Sequence, residues 1–153
     1  MKRLDGKTCI VTGGASGIGK ATCLRLAEEG ARVAITDIDD DDGYTLREEI
    51  RATGRRVEYW HLDVTDEAAV EQVFGEVADK LGGIDVVVNN AGISGADKPT
   101  DEITSEEWRK VMDVNVNGVF YCTKAAIPHM RDKGGGSIVN LSSIYGIVGA
   151  PDI

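Results

Sequence analysis

A glycine-rich turn between a strand-like and a helix-like segment constrains the fold of this chain most. The turn, Thr12-Gly13-Gly14-Ala15-Ser16-Gly17-Ile18-Gly19, follows the β-branched run 8–11 and precedes helix-forming residues 20–29, which Gly30 closes. Glycines let main-chain N–H groups approach a phosphate closely, and the N-terminus of the following helix adds partial positive charge. The order of strand, turn and helix therefore predicts a phosphate-binding turn.

Three interpretations of the turn are open at this point. It could be a tight turn without a ligand. The spacing from Gly14 to Lys20 also matches most of a nucleoside-triphosphate loop, but Ala21 stands where that loop needs a hydroxyl for magnesium. A dinucleotide site instead needs an acidic residue at the end of the next strand, about twenty residues on. Asp37 follows the strand-like run 32–36, which favours the dinucleotide interpretation.

Composition limits the size and the partners of the protein. The 153 residues suffice for one domain, 1–153, and the hydrophobic (42%) and charged (28%) fractions are those of a soluble globular protein. A net charge of −9, with no basic run longer than Arg55-Arg56, argues against a nucleic-acid partner. The N-terminus has no apolar signal core and no apolar run approaches membrane-spanning length, so we expect a cytoplasmic protein without a membrane partner.

The cysteines and histidines do not suggest a metal site. Cys9, Cys23 and Cys122 include no C-x-x-C pair, and His61 and His129 have no metal-type spacing to them. We therefore expect three reduced packing cysteines and no bound metal. The acidic run 39–42 is interpreted as a solvated helix start, because carboxylates are favourable at the positive end of a helix.

Strand-like and helix-like segments alternate along the rest of the chain. Further strands are predicted at 57–62, 84–88 and 137–141, with helices starting after the acidic run, after a Thr65 cap and after a Thr104-x-x-Glu107 capping box. In the last of these helical segments, Gly118 and Pro128 are candidate bends. This alternation predicts an α/β fold of the Rossmann-like, doubly wound type, with a parallel sheet in the order 3-2-1-4-5.

The predicted sheet brings polar and glycine-rich strand ends together. In parallel sheets ligands bind at the carboxyl edge, where the strand order reverses. The segments expected there are the glycine turn, Asp37, Asp63-Val64, Asn89 to Gly92 and Ser142-Ser143. Five such ends on one edge indicate a ligand site more strongly than any one of them.

Several motifs, in order, resemble the short-chain dehydrogenase/reductase family. The glycine turn is similar to the family's T-G-x-x-x-G-x-G cofactor turn, and Asn89-Asn90-Ala91-Gly92 to its N-N-A-G motif. Asn115, in Asn115-Val116-Asn117-Gly118, resembles its helix asparagine, and Ser143 resembles its catalytic serine. The resemblance extends over essentially the whole chain and implies an NAD(P)-dependent oxidoreductase.

The resemblance also implies which residues hold the cofactor. They are Gly13, Ser16, Gly17, Ile18, Gly19, Asp37, Ile38, Asp63, Val64, Asn90, Ala91 and Gly92. Asp37 would accept both ribose hydroxyls, and its carboxylate would repel a 2′-phosphate, with no basic residue at Ser16 or Ile38 to offset the repulsion. We therefore expect NAD to be preferred over NADP.

The same resemblance implies catalytic roles for Ser143, or its neighbour Ser142, and for Asn115, on a secondary alcohol or its ketone. The family's general acid or base is a tyrosine followed four residues later by a lysine, and no Tyr-x-x-x-Lys occurs in this sequence. We therefore expect the chain as given to be inactive and to be the N-terminal part of a longer reductase, whose later strands would cover strand 5. A non-catalytic NAD-binding sensor is the alternative.

Relatives of this kind are usually homodimers or homotetramers. The resemblance places the long helical segment from Thr104 onward at one interface, so its apolar residues are expected to be exposed in a monomer.

Overall fold

Five parallel strands form one sheet in the computed structural model, which describes residues 2–148. Met1 and residues 149–153 of the predicted domain lie outside the described range. The sheet order β3-β2-β1-β4-β5 confirms the predicted topology. The strands are β1 (Thr8–Thr12), β2 (Arg32–Asp37), β3 (Val57–His61), β4 (Val86–Asn89) and β5 (Ser137–Asn140).

Helices connect these strands. They are α1 (Gly17–Glu28), α2 (Asp40–Arg51), α3 (Glu67–Leu81), α4 (Ser105–Met112) and α5 (Gly118–Asp132). A π-helical segment, Asp113–Asn117, joins α4 to α5, and short 3-10 turns lie at Thr100–Glu102 and Ile144–Gly146.

Alternate residues of β1 point to opposite faces of the sheet and build two cores. Ile10 packs in a cluster with α3 and α5, of which Phe74 is fully buried. Cys9 and Val11 pack in a second cluster with α1 and α2, around Leu46. A strand buried on both faces is continuously apolar, which is why its sequence shows no polar alternation.

The three cysteines confirm the prediction of reduced packing residues. All three are free and buried. Burial raises the pKa of Cys9, Cys23 and Cys122 to about 12, so their thiols remain protonated at neutral pH.

The helix starts agree with the sequence in two places and correct it in one. Asp39 caps α2, and Thr104 and Glu107 form the expected capping box. Thr65, predicted to cap α3, does not: Asp66 accepts from the Ala69 amide at 3.0 Å, while the Thr65 hydroxyl donates to Asp63 at 2.8 Å. The Asp63 carboxylate holds Thr65 in a turn, one residue before the N-cap of α3.

The irregular part of the long helical segment is the π turn Asp113–Asn117, which ends directly before Gly118. Gly118 itself serves close packing, since an added Cβ would lie 2.7 Å from Val64 Cγ2. Pro128 lies inside α5. The sequence pattern therefore located the region of the irregularity but not its kind.

Apolar side chains are exposed along α4 and α5 and on the edge strand β5. They are Trp108, Phe120, Ile127 and Val139, and Val116 is exposed on the π-helical segment between the two helices. This confirms the expected exposure of the long helical segment. Within residues 2–148, no helix is long and apolar enough to cross a membrane.

Candidate nucleotide site

Two glycines of the turn have positive φ for different reasons. Gly13 (φ 59°) lies against strand β4, where an added Cβ would be 2.9 Å from the Cα of Ala91. Gly17 (φ 51°) faces open space, with no atom within 4 Å of an added Cβ. The first glycine therefore permits close packing, and the second leaves a bare main chain facing the solvent.

Gly14 and Gly19 are buried beneath the turn. A Cβ on Gly14 would lie 2.9 Å from the Val11 carbonyl oxygen. A Cβ on Gly19 would collide with the Gly13 carbonyl oxygen and lie 2.7 Å from Asn90 Nδ2. Because neither residue has a side chain, α1 can start this close to the sheet.

The N-terminus of α1 points its first amides at the turn. Ser16, the N-cap residue, is extended (φ −136°, ψ 172°), and its hydroxyl makes no capping hydrogen bond within the described residues. The helix starts at Gly17, three residues before the predicted run, and its first turn has no acidic side chain. No acidic side chain of α1 itself therefore offsets the positive end of the helix dipole.

Asn90 and Thr12 tie the glycine turn to the end of β4. The Asn90 side-chain amide donates to the carbonyls of Thr12 (2.9 Å) and Gly13 (2.8 Å). The Thr12 hydroxyl oxygen accepts from the amides of Asn90 (3.1 Å) and Ala91 (3.0 Å). Four hydrogen bonds thus fix the spacing between two strand ends.

The Asp37 carboxylate is held in one orientation. One oxygen accepts from the Ala15 amide at 2.9 Å and the other from the Asp39 amide at 3.1 Å. Each carboxylate oxygen can accept further hydrogen bonds. Asp37 therefore presents a fixed negative charge with free acceptor capacity at the end of β2.

Tyr59 supports this turn from β3. Its hydroxyl lies 2.9 Å from the Asp37 carbonyl oxygen and 2.7 Å from Asp40 Oδ1. Burial, followed by the hydrogen bond with Asp40, raises the pKa of Tyr59. The hydrogen bonds from Tyr59 and His61 lower the pKa of Asp40. Tyr59 is therefore a neutral hydrogen-bond donor that fixes the start of α2.

A cavity of about 350 Å³ joins these strand ends. Eleven of the twelve predicted cofactor residues line it: Gly13, Ser16, Gly17, Ile18, Asp37, Ile38, Asp63, Val64, Asn90, Ala91 and Gly92. Gly19 is the exception, since it packs behind Gly13. Leu62, Ile93 and Val114 also line the cavity and were missed, because apolar residues next to a motif have no distinct sequence signal.

The predicted catalytic residues line an adjoining cavity of about 620 Å³. Asn115, Ser142 and Ser143 border it, together with the shared segment 90–93. The Asn115 side chain pairs with the main chain of Ile93, accepting from its amide and donating to its carbonyl, both at 2.9 Å. The Ser143 hydroxyl oxygen accepts from the Tyr145 amide at 3.2 Å.

The nucleoside-triphosphate interpretation is weakened by Lys20. Its ammonium group lies 3.1 Å from a Glu49 carboxylate oxygen on α2, and Lys20 does not line the cavity at the turn. In the part of the chain that the structure describes, no group of three or more His, Cys, Asp or Glu residues could hold a metal ion.

Comparisons with known proteins agree with this geometry. The family model "short chain dehydrogenase" matches residues 7–153. The chain is 44% identical over 149 residues to the 3-oxoacyl-acyl-carrier-protein reductase FabG of Thermotoga maritima, covering 97% of this chain and 60% of that protein. It is 43% identical to an NADP-dependent (R)-specific alcohol dehydrogenase of Lentilactobacillus kefiri, covering 99% of this chain and 60% of the relative.

A solved structure, that of an NAD⁺-bound xylitol dehydrogenase, superposes with a TM-score of 0.94 at 37% identity, covering 99% of this chain and 58% of the other. The chain therefore spans about 60% of the length of the curated relatives it matches. The match over nearly all of its residues shows that the chain belongs to the short-chain dehydrogenase family.

Proposed function

We propose that the protein binds NAD and interconverts a secondary alcohol and a ketone. One observation carries the proposal: the fixed Asp37 carboxylate and the bare glycine turn border one cavity, which continues into a second cavity bordered by Asn115 and Ser143. A dinucleotide needs such a pair of sites, with a phosphate-binding turn and a ribose acceptor in the first and a reaction site in the second.

The residues present fit a dinucleotide. The exposed main chain at Gly17 and the free amides of α1 would hold the diphosphate, because a side chain there would fill the space that phosphate oxygens need. Asp37 would accept the ribose hydroxyls, Asp63 and Val64 would contact the adenine, and the segment 90–92 would contact the distal nucleotide. Ser16 and Ile18 would flank the diphosphate.

We propose NAD over NADP on electrostatic grounds. A 2′-phosphate would come close to the Asp37 carboxylate, which the amides of Ala15 and Asp39 prevent from turning away. The neighbouring Ile38 is 65% exposed and offers no positive charge. Two like charges at hydrogen-bond distance repel by more than 1 kcal/mol even in water, about tenfold in affinity.

The reaction side of the proposal assigns roles to two residues. When bound, the nicotinamide would accept a hydride from the carbinol carbon or return one to the ketone. The Ser143 hydroxyl would hydrogen-bond the substrate oxygen. Asn115 would act as a positioning residue, since both atoms of its amide hold the main chain of Ile93.

Proton transfer to the substrate oxygen needs a further group. A tyrosine with an ordinary pKa near 10 is a weak base at pH 7, and the sequence has no tyrosine with a lysine four residues later. We therefore expect the 153-residue chain by itself to bind NADH without turnover. Because the sequence lacks this tyrosine and lysine pair, a non-catalytic NAD-binding module is a second candidate function.

The remaining parts of the proposal concern partners and location. We propose a small-molecule alcohol or ketone as substrate and a cytoplasmic protein. We also propose a homodimer or homotetramer, supported by the large apolar side chains of Trp108, Phe120 and Ile127, which are exposed on α4 and α5.

The test is a calorimetric titration of NADH and NADPH into the chain and into Asp37→Ala. We expect the variant to bind NADPH more tightly than the unmodified chain does and to lose most of its preference for NADH. Asp41→Ala removes the same charge from the exposed first turn of α2 and is the matched control. If both variants lose the preference for NADH equally, the overall negative charge of the region, and not Asp37 itself, selects the cofactor.

A further inference from the structure

We propose that a third cavity, at the amino-terminal ends of the strands and so opposite the glycine turn, binds a small multivalent oxyanion such as a diphosphate or a phosphate monoester. This basic cavity has a volume of about 340 Å³ and lies where β2 and β3 begin. Its charged lining residues are Arg32, Arg51, Arg55, Arg56, Lys80 and Glu58. Five cationic side chains and one carboxylate thus surround one cavity in a chain whose net charge is −9.

The single carboxylate does not neutralise the basic cavity. Glu58 is shared by the Arg51 guanidinium and by the Lys80 ammonium group, which lies 3.2 Å away. The guanidinium groups of Arg55 and Arg56 have no carboxylate within 4 Å among residues 2–148. Neighbouring guanidinium groups repel one another, and an oxyanion between them would remove this repulsion through charge-assisted hydrogen bonds.

Arg32 adds a further guanidinium group to the lining of the basic cavity. It is the first residue of β2, and its Nη2 donates to the Gly6 carbonyl oxygen. Its Nε is buried and has no hydrogen-bond partner in the described part of the chain. The guanidinium group of Arg32 also has no carboxylate within 4 Å among residues 2–148, so its positive charge adds to that of Arg55 and Arg56 at the basic cavity.

The shape and the surrounding charge favour a compact ligand. A cavity of about 340 Å³ is within the size range of small-molecule sites. Nucleic acid needs an extended basic face, but Glu48 lies beside Arg51, and the whole chain is acidic. Two unpaired guanidinium groups match the planar oxygen pairs of a ligand with two or more negative charges.

The basic cavity is separate from the nucleotide site. The two cavities have no lining residue in common. Arg32 and Asp37 are at opposite ends of β2, about 16 Å apart at the usual rise along a strand. An oxyanion in the basic cavity and a nucleotide at the glycine turn would therefore be bound at the same time.

The test is a calorimetric titration of the full chain with sodium pyrophosphate, and in parallel with inorganic phosphate, at ionic strength held constant with sodium chloride. The variant pair Arg55→Ala and Arg56→Ala, made together, changes only exposed or half-exposed loop side chains. We expect it to weaken pyrophosphate binding about tenfold or more. The matched control combines Arg109→Ala and Arg131→Ala, which remove the same charge from exposed positions on α4 and α5.

Two further measurements locate the bound anion. Pyrophosphate binding should persist in saturating NADH, and in the unmodified chain it should shift the backbone amide resonances of residues 54–57 and of Arg32. Displacement by NADH would place the anion at the glycine turn and overturn the proposal. Equal weakening by the control pair, no weakening by the first pair, or no binding at millimolar pyrophosphate would also overturn it.

Discussion

The side-chain amide of Asn90 donates a hydrogen bond to the carbonyl oxygen of Gly13, 2.8 Å away, and so joins the end of β4 to the glycine turn after β1. The same nitrogen donates to the Thr12 carbonyl at 2.9 Å. These two bonds set the width of the cavity between the strand ends, because the residues on both sides of them line it.

Replacing Asn90 by Ala should therefore weaken both the fold and the site. Loss of two partly buried hydrogen bonds leaves two carbonyls without that donor, which predicts a destabilisation of about 2 kcal/mol in urea unfolding. We also expect NADH binding to weaken about tenfold, because the turn would no longer be fixed. Asn117→Ala, on the π turn, is the control and should leave NADH binding unchanged. Unchanged affinity in Asn90→Ala would argue against the fixed cavity width.

A comparison of Gly17→Ala with Gly134→Ala distinguishes the effect of backbone strain from that of ligand contact. Both have positive φ (51° and 84°), and an added Cβ at either meets no atom within 4 Å. Each change to Ala should therefore lower the free energy of unfolding by about 1 kcal/mol. Only Gly17→Ala should also reduce NADH affinity, since its Cβ would occupy the diphosphate position. A similar loss of affinity in Gly134→Ala would place the effect in the fold and not in the site.

Tyr59 should affect cofactor choice without touching the cofactor. Its hydroxyl contacts the Asp37 carbonyl and the Asp40 carboxylate, so Tyr59→Phe releases the turn that carries the Asp37 side chain. We expect the ratio of NADPH to NADH dissociation constants to fall several-fold and the stability to fall by about 1 kcal/mol. Tyr44→Phe, whose ring packs edge-on against Tyr59, is the control and should keep the ratio. A purely structural role would lower stability in Tyr59→Phe and leave the ratio intact.

Asp85 gives the fold a defined acid sensitivity. Its side chain is only 8% exposed and accepts from Lys7 (3.0 Å), Lys133 (2.6 Å) and the Thr8 amide (2.9 Å). Burial alone would raise the pKa of Asp85, but the hydrogen bonds from Lys133, the Thr8 amide and Lys7 outweigh it and hold the pKa at about 2.

Because the folded-state pKa of Asp85 lies below its unfolded value, its contribution is complete above about pH 4 and is lost as the pH falls toward 2. The size of the shift corresponds to about 2 kcal/mol. Asp85→Asn should therefore be less stable than the unmodified chain at pH 6, and the difference should shrink as the pH is lowered to 2. A difference in unfolding free energy that is independent of pH would contradict this linkage.

The strand order, and the grouping of the predicted site residues around one cavity, could be predicted from sequence because both depend on the chain order of apolar runs and turns. Because β1 and β4 are buried on both faces of the sheet, their sequences are continuously apolar and can be recognised as strands. The parallel sheet then brings Asp37, Asp63 and Asn90 to one edge.

The details that could not be predicted depend on competition between neighbouring side chains. Thr65 and Asp66 are both residue types that favour the N-cap of a helix. Because the Thr65 hydroxyl is hydrogen-bonded to Asp63, Asp66 is the residue that caps α3. The π turn at Asp113–Asn117 has no sequence signal of its own. The basic cavity is assembled from three separate segments, so the short run Arg55-Arg56 did not reveal it.

The affinity of the unmodified chain for NADH and NADPH, measured by calorimetry at the same ionic strength, tests the proposed role of Asp37 directly. The fixed carboxylate of Asp37 predicts one NADH bound per chain and NADPH bound about tenfold more weakly or worse. Equal or tighter binding of NADPH would contradict the role of Asp37, and the absence of binding by both nucleotides would contradict the assignment of the cavity itself.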